Sequence, residues 1–138
     1  MTVYARERKE TSVQYIIDAK KLQREVIRYM MNEKRVPKKW RYMLARGAMA
    51  KASEIVDNAV GSHSVFPNTE EKLKLRKAYL QDALTNCYQL SSRLDCMVDV
   101  IDSVTVDSLS VIISLLVDEI AGLKKTISNA KVVKGKEV

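Results

Sequence analysis

The run 68–101 constrains this chain more than any other stretch. Leu73, Leu80, Cys87, Leu94 and Ile101 recur every seven residues, and Leu84 and Val98 fall four residues after Leu80 and Leu94. Two turns of an α-helix take about seven residues, so this spacing lays one apolar stripe down one face of a long helix. Such a helix is marginal alone in water and must bury its stripe against other elements. The remainder of the chain therefore has to supply helical partners.

Composition agrees with that demand. The chain has 138 residues, enough for one domain with its own core, and 46% of them are hydrophobic. Only four Gly, two Pro and 6% aromatic residues argue against an all-β fold. Residues 1–10 are rich in charge and lack the apolar segment of a secretory signal. The uncharged stretch 108–117, broken before by Asp107 and after by Asp118, is too short to cross a bilayer. These features lead to the expectation of a soluble, cytoplasmic protein with no membrane partner. Cys87 and Cys96 lie nine residues apart on one predicted helix, a rise of roughly 13 Å, which is beyond disulfide reach. Cys87 reads as a small core residue. No second cysteine pair offers a zinc site, and no metal or cofactor is expected.

Charge is unevenly placed. Residues 1–51 carry a net +9, residues 52–123 a net −6 and residues 124–138 a net +4. A basic amino half and an acidic middle can attract one another within a fold or between copies, and the surplus is open to an anionic partner.

In chain order, residues 1–9 read as a flexible basic arm. A first helix spans 10–32, with Val13, Ile16, Ile17, Val26, Ile27, Met30 and Met31 as its apolar face. Lys20, Arg24 and Arg28 recur every four residues, with Lys21 beside them, and form a cationic ridge on another face. After a short connection, Pro37 opens a second helix over 37–60, where its missing N–H costs nothing. Met43 or Leu44, Ala48, Ala52, Ile55, Val56 and Ala59 point inward, and Gly47 with the alanines suggests close approach of another backbone. Lys38, Lys39, Trp40, Arg41 and Tyr42 interleave cations with aromatics, and Arg46 follows one turn later. Such a pattern suits phosphates on the cations and bases on the rings; equally, Trp40 and Tyr42 can cap one end of the core while the cations stay in water. Gly61 is placed as the residue that ends helix two. His63, the one histidine, has no catalytic partner in its loop. Asn68 and Glu71 resemble a capping box for helix three. Asp95, Asp99 and Asp102 share one face of it and call for a cation, either from helix one or from a neighbouring copy. Thr105 caps a fourth helix over 106–128, whose core stripe reads Leu109, Ile113, Leu116, Ile120, Leu123 and Ile127. Ile112, Leu115 and Val117 widen its apolar surface and suggest self-association. Residues 129–138 read as a flexible basic tail. The expected architecture is an all-α, up-down-up-down antiparallel four-helix bundle over 10–128.

The segment Val36, Pro37, Lys38, Lys39, Trp40, Arg41, Tyr42 resembles the stretch that opens helix two in the four-helix-bundle family of retroelement accessory proteins. That family includes the accessory variability determinant (Avd) of diversity-generating retroelements and the proteins encoded within ribosomal RNA intervening sequences. The likeness continues through Tyr79, Leu80, Gln81, Asp82, Ala83 and Leu84 to Leu94, and ends in the run Leu116 to Leu123, covering about residues 12–128. Where family members often carry Gly followed by Trp, Lys124 and Lys125 stand here.

The resemblance implies a pentameric ring with a basic surface that binds the element's reverse transcriptase and its template RNA and has no catalytic activity of its own. Lys20, Lys21, Arg24, Arg28, Lys38, Lys39, Arg41 and Arg46 would meet the phosphates of RNA or DNA, with Trp40 or Tyr42 stacking. The alternative is a protein–protein adaptor of the intervening-sequence type with no direct nucleic-acid role. An enzyme is not expected: the sequence offers no Cys–His or Ser–His–Asp arrangement, no phosphate-binding Gly loop and no metal cluster.

Overall fold

The computed structural model describes residues 13–133, and the arm and residues 134–138 of the tail lie outside them. Four long helices dominate: α1 (Gln14–Met30), α2 (Arg46–His63), α3 (Glu70–Val100) and α4 (Ser110–Asn129). A 3₁₀ turn (Lys38–Trp40) and a π-helical turn (Arg41–Ala45) lead into α2, and a second 3₁₀ turn (Asp107–Leu109) leads into α4. No strand occurs among the described residues. Each of α1 and α3 packs against both α2 and α4, and the α2/α3 contact is the most extensive. The result is a helical bundle around a single apolar core.

The α3 stripe behaves as its heptad spacing demands. Leu80, Leu84, Cys87, Leu94 and Ile101 are buried, joined by Ala83, Leu90 and Met97. Leu73 is half-buried, Leu75 is exposed, and no residue from Glu70 through Tyr79 is fully buried. Cys87 packs in the core while Cys96 is exposed, and both are free thiols. Desolvation pushes the Cys87 thiol up to about 12, with nearby Glu119 adding to the shift.

Val13, Val26 and Met30 of the expected α1 face are buried, but the rest of the stripe is made by other residues. Tyr15, Ala19, Leu22, Val26 and Met30 face inward, while Ile27 and Met31 are exposed and Ile16 and Ile17 are half-buried. The buried set keeps a regular four-three-four-four spacing, which centres on Leu22, whereas the expected set broke in mid-helix. Tyr15 satisfies its hydroxyl on Ser62 Oγ of α2 at 2.8 Å, which lets a polar ring edge sit in the core.

Helix α2 differs at both ends. Pro37 (ψ 148°) precedes the helical turns rather than starting them. Met43 points outward and Leu44 packs on the core. At the other end the helix runs through Gly61 to His63. Gly61 is there for space: a Cβ would sit 2.7 Å from Cε1 of Tyr79 on α3. Gly47 likewise receives a side chain rather than a backbone, since a Cβ there would lie 2.9 Å from Cζ of Arg93. With Ala48, Ala52 and Ala59 fully buried, α2 presents a small-residue surface to the core.

Side chains hold the start of α3 and the entry to the turn before α4. Thr69, not Asn68, caps α3, accepting from the Lys72 N–H at 3.1 Å. Thr105 and Ser108 exchange reciprocal bonds, each side-chain oxygen accepting the other's N–H at 3.1 Å, and Ser108 Oγ also meets Tyr29 Oη at 2.6 Å. Residues 130–133 leave the helix, and the Val133 N–H bonds the Pro67 carbonyl at 3.0 Å, which ties the start of the tail to the α2–α3 loop.

Helix α4 shifts its stripe by one residue in two places. Leu109, Ile112, Leu116, Glu119 and Leu123 are buried, Ile113 is exposed, and Ile120 and Ile127 only flank the core. Glu119 is thus a carboxyl in a core position, fully buried, and neither oxygen has a hydrogen-bond partner among the described residues. Desolvation, and secondarily Asp18, push it up to about 9, so the group is protonated and uncharged at neutral pH.

Candidate nucleic-acid interface

The ridge cations of α1 stand in solvent. Lys20, Lys21, Arg24 and Arg28 are all exposed, on a helix whose opposite side carries the buried stripe. Among the described residues only Arg28 finds an acid, Glu25 at 3.0 Å one turn earlier. That pair is well exposed, so it adds little to stability and remains open to exchange.

The cations entering α2 have more defined settings. Lys38 and Lys39 are exposed on the 3₁₀ turn, and the Lys39 ammonium lies 5.5 Å from the Trp40 ring centre. Trp40 itself is half-buried and packs on the core, so its indole caps that end of the bundle. Tyr42 is the opposite case, 72% exposed, with the Arg46 guanidinium 5.1 Å from its ring centre. The π-helical turn shapes this contrast. Its extra residue per turn directs Tyr42 and Met43 outward while Leu44 and Ala45 return to the core. Arg41 lies half-buried, 3.5 Å from Glu33, with its Nε enclosed and unpartnered.

Sequence spacing grouped these residues by element, and the fold groups them by face. Gln23 of α1 donates to Ser53 of α2 at 3.0 Å, which fixes the two helices side by side. Lys20 and Ile27 lie a turn either side of Gln23 on α1, and Arg46 lies two turns before Ser53 on α2. Lys20, Ile27, Arg46 and Tyr42 therefore flank the α1/α2 side. Lys21 and Arg28 share a neighbouring strip with Glu25.

Two further cations went unmarked in the sequence. Arg35 donates to the Ser103 carbonyl at 3.2 Å while Ser103 Oγ donates back to the Arg35 carbonyl at 2.6 Å, stitching the two turns at that end together. Arg93 is exposed on α3, lies over Gly47 and has no acid partner among the described residues. The one hint of Arg93 was Gly47 itself, a glycine in mid-helix.

Asp95, Asp99 and Asp102 are exposed, and no cation of α1 or of any other described residue pairs with them. His63 is exposed at the end of α2. No group of three or more His, Cys, Asp or Glu among the described residues could hold a metal ion, and no helix among them is long and apolar enough to cross a membrane. No family model, curated protein or solved structure matches the chain.

Proposed function

We propose that this chain is a non-enzymatic, nucleic-acid-binding accessory protein that uses the positive face of α1 and the entrance to α2. One observation carries the reading. Of the eight cations on that surface, only Arg28 and Arg41 meet a carboxylate among the described residues. The other six keep their charge for an outside anion, and exposed Tyr42 offers a ring on which a base can stack.

The resemblance to the Avd family extends the proposal to its biological setting: a cytoplasmic accessory of a diversity-generating retroelement that binds the reverse transcriptase and template RNA. An up-down-up-down bundle suits it. In support, the α1/α2 contacts run Tyr15 to Ser62 and Gln23 to Ser53, the α2/α3 contacts run Gly47 to Arg93 and Gly61 to Tyr79, and the contacts of α1 with α4 and the turn leading into it run Tyr15 to Gly122 and Tyr29 to Ser108. In each pair one number rises as the other falls, the mark of antiparallel neighbours. A homopentameric ring would set the uncompensated Asp95, Asp99 and Asp102 face of one copy against the cationic face of the next, in a head-to-tail contact. Exposed Val106, Ile113 and Val117 add apolar area to that acidic side.

The adaptor reading has one observation in its favour: Ile27, Met31, Tyr42 and Met43 are exposed among the cations, as on a surface that also meets protein. The deciding experiment is RNA binding by a Lys38→Glu, Lys39→Glu, Lys20→Glu, Arg24→Glu variant at low salt. Nucleic-acid binding predicts a loss of at least tenfold with an unchanged melting curve. Full retained affinity would transfer the surface to a protein partner.

A further inference from the structure

We propose that the polar seam between α2 and α3, centred on Arg93, is a binding site for a phosphate group. It lies on a different side of α2 from the α1-facing surface, and its argument stands without that surface.

The seam is built from the backbone outward. Gly47, Lys51, Glu54 and Asn58 recur at four, three and four residues along α2, and so form one strip facing α3. Opposite them stand Asn86, Gln89 and Arg93. Asn86 is buried and accepts from Asn58 at 2.7 Å, while its own amide donates to Glu54 at 3.0 Å and to Gln89 at 3.1 Å. The same Glu54 oxygen holds the Lys51 ammonium at 3.1 Å. The carboxylate is thus committed twice, and it positions Lys51 at the mouth of the seam.

Above this network the seam opens into a cleft of about 390 Å³, whose walls include Lys51, Gln89, Ser92 and Arg93. Arg93 is the distinctive wall. Its guanidinium lies in the space that a side chain at position 47 would fill, so Gly47 acts as its seat on α2. No described residue accepts from it. A planar fork of N–H donors held against a helix and left uncommitted matches a tetrahedral oxyanion, and Arg favours phosphate through paired N–H bonds. Lys51 has donors left beyond its bond to Glu54, and Gln89 and Ser92 can supply neutral ones. Two cations line the cleft, and the one carboxylate beside it, Glu54, is bonded to Lys51, so an anion is favoured there. The phosphate can belong to a polynucleotide backbone or to a free phosphorylated molecule.

The test uses full-length protein at low ionic strength. Inorganic phosphate is titrated against chloride at matched ionic strength, while NMR follows the Arg93 Nε–H signal. The alkylation rate of Cys96, which also lines the cleft, is measured with neutral iodoacetamide. The proposal predicts a saturable shift and slower alkylation with phosphate only. Arg93→Gln should weaken phosphate binding about tenfold, the scale of one charge-assisted contact. Gly47→Ala should weaken it as well while keeping the melting curve, because a methyl there displaces only the flexible end of Arg93. A short single-stranded RNA that competes with phosphate identifies a polynucleotide source, and an RNA that does not compete identifies a free phosphorylated ligand; both uphold the site. Phosphate acting no differently from chloride overturns it, as do unchanged affinities in both variants. The Lys38→Glu, Lys39→Glu, Lys20→Glu, Arg24→Glu variant should keep the Arg93 response, which separates failure at this seam from failure of the α1/α2 surface.

Discussion

Replacing Glu119 by Gln should stabilise the protein, and the gain should grow with pH. Glu119 sits in the core with both oxygens unpartnered among the described residues, and its folded-state pKa is pushed from 4.5 up to about 9. Below pH 4.5 the carboxyl is protonated in folded and unfolded chains alike, so it contributes no pH dependence. Between 4.5 and 9 the unfolded chain releases the proton and the folded chain keeps it. The unfolded state then binds fewer protons, and stability falls as pH rises. Each pH unit in this window is worth about 1.4 kcal/mol, so at pH 7 the carboxyl costs about 3 kcal/mol relative to its neutral form. Gln has the same shape and no charge to lose, so Glu119→Gln removes the cost. Urea unfolding of both proteins at pH 5, 6, 7 and 8 measures it, because groups that titrate alike in the two proteins cancel in the difference. The variant's advantage should be under about 1 kcal/mol at pH 5 and should climb steadily to pH 8. A difference that stays flat with pH would refute the reasoning, since a protonated buried carboxyl cannot produce one.

Other expectations follow from packing and exposure. Gly61→Ala should cost about 1–3 kcal/mol by thermal unfolding, since its methyl meets the Tyr79 ring at 2.7 Å in a packed interface. Trp40→Ala should destabilise the bundle by roughly 2 kcal/mol because the indole packs on the core, whereas Tyr42→Ala, at a 72% exposed ring, should lower RNA affinity and leave the melting temperature within a degree or so. Iodoacetamide should modify Cys96 in the native protein and reach Cys87 only on unfolding, because Cys87 is buried with its thiol pushed up to about 12; mass spectrometry of native and urea-treated samples reads this directly.

The four helices were legible in the sequence because the core-facing residues repeat at helical spacing. The α3 stripe came out nearly whole, since a heptad of Leu and Cys leaves little choice of face. Faces were harder where small or polar residues line the core. Tyr15, Ala19 and Leu22 of α1 carry less apparent hydrophobicity than the Ile16/Ile17 and Ile27/Met31 pairs, yet their spacing is the regular one. On α4 the apolar residues surround the helix so fully that the true stripe passes through Glu119, which no reading by hydrophobicity would choose. The two glycines of α2 were read by local rules, as a helix end and a close backbone approach. Their actual reasons are long-range: each makes room for a side chain on α3, Tyr79 or Arg93. On the candidate surface, residue types were visible but not their settings. The π-helical turn separates Trp40, turned to the core, from Tyr42, turned to solvent, and no pattern in the sequence announced it.

The most direct measurement is the salt dependence of RNA binding by the unmodified protein. Six cations with no carboxylate partner among the described residues, each displacing counterions from a single strand, predict that log affinity falls with log salt at a slope of about −4. A slope near zero, or no binding at the lowest salt, would contradict a role for this surface in holding nucleic acid.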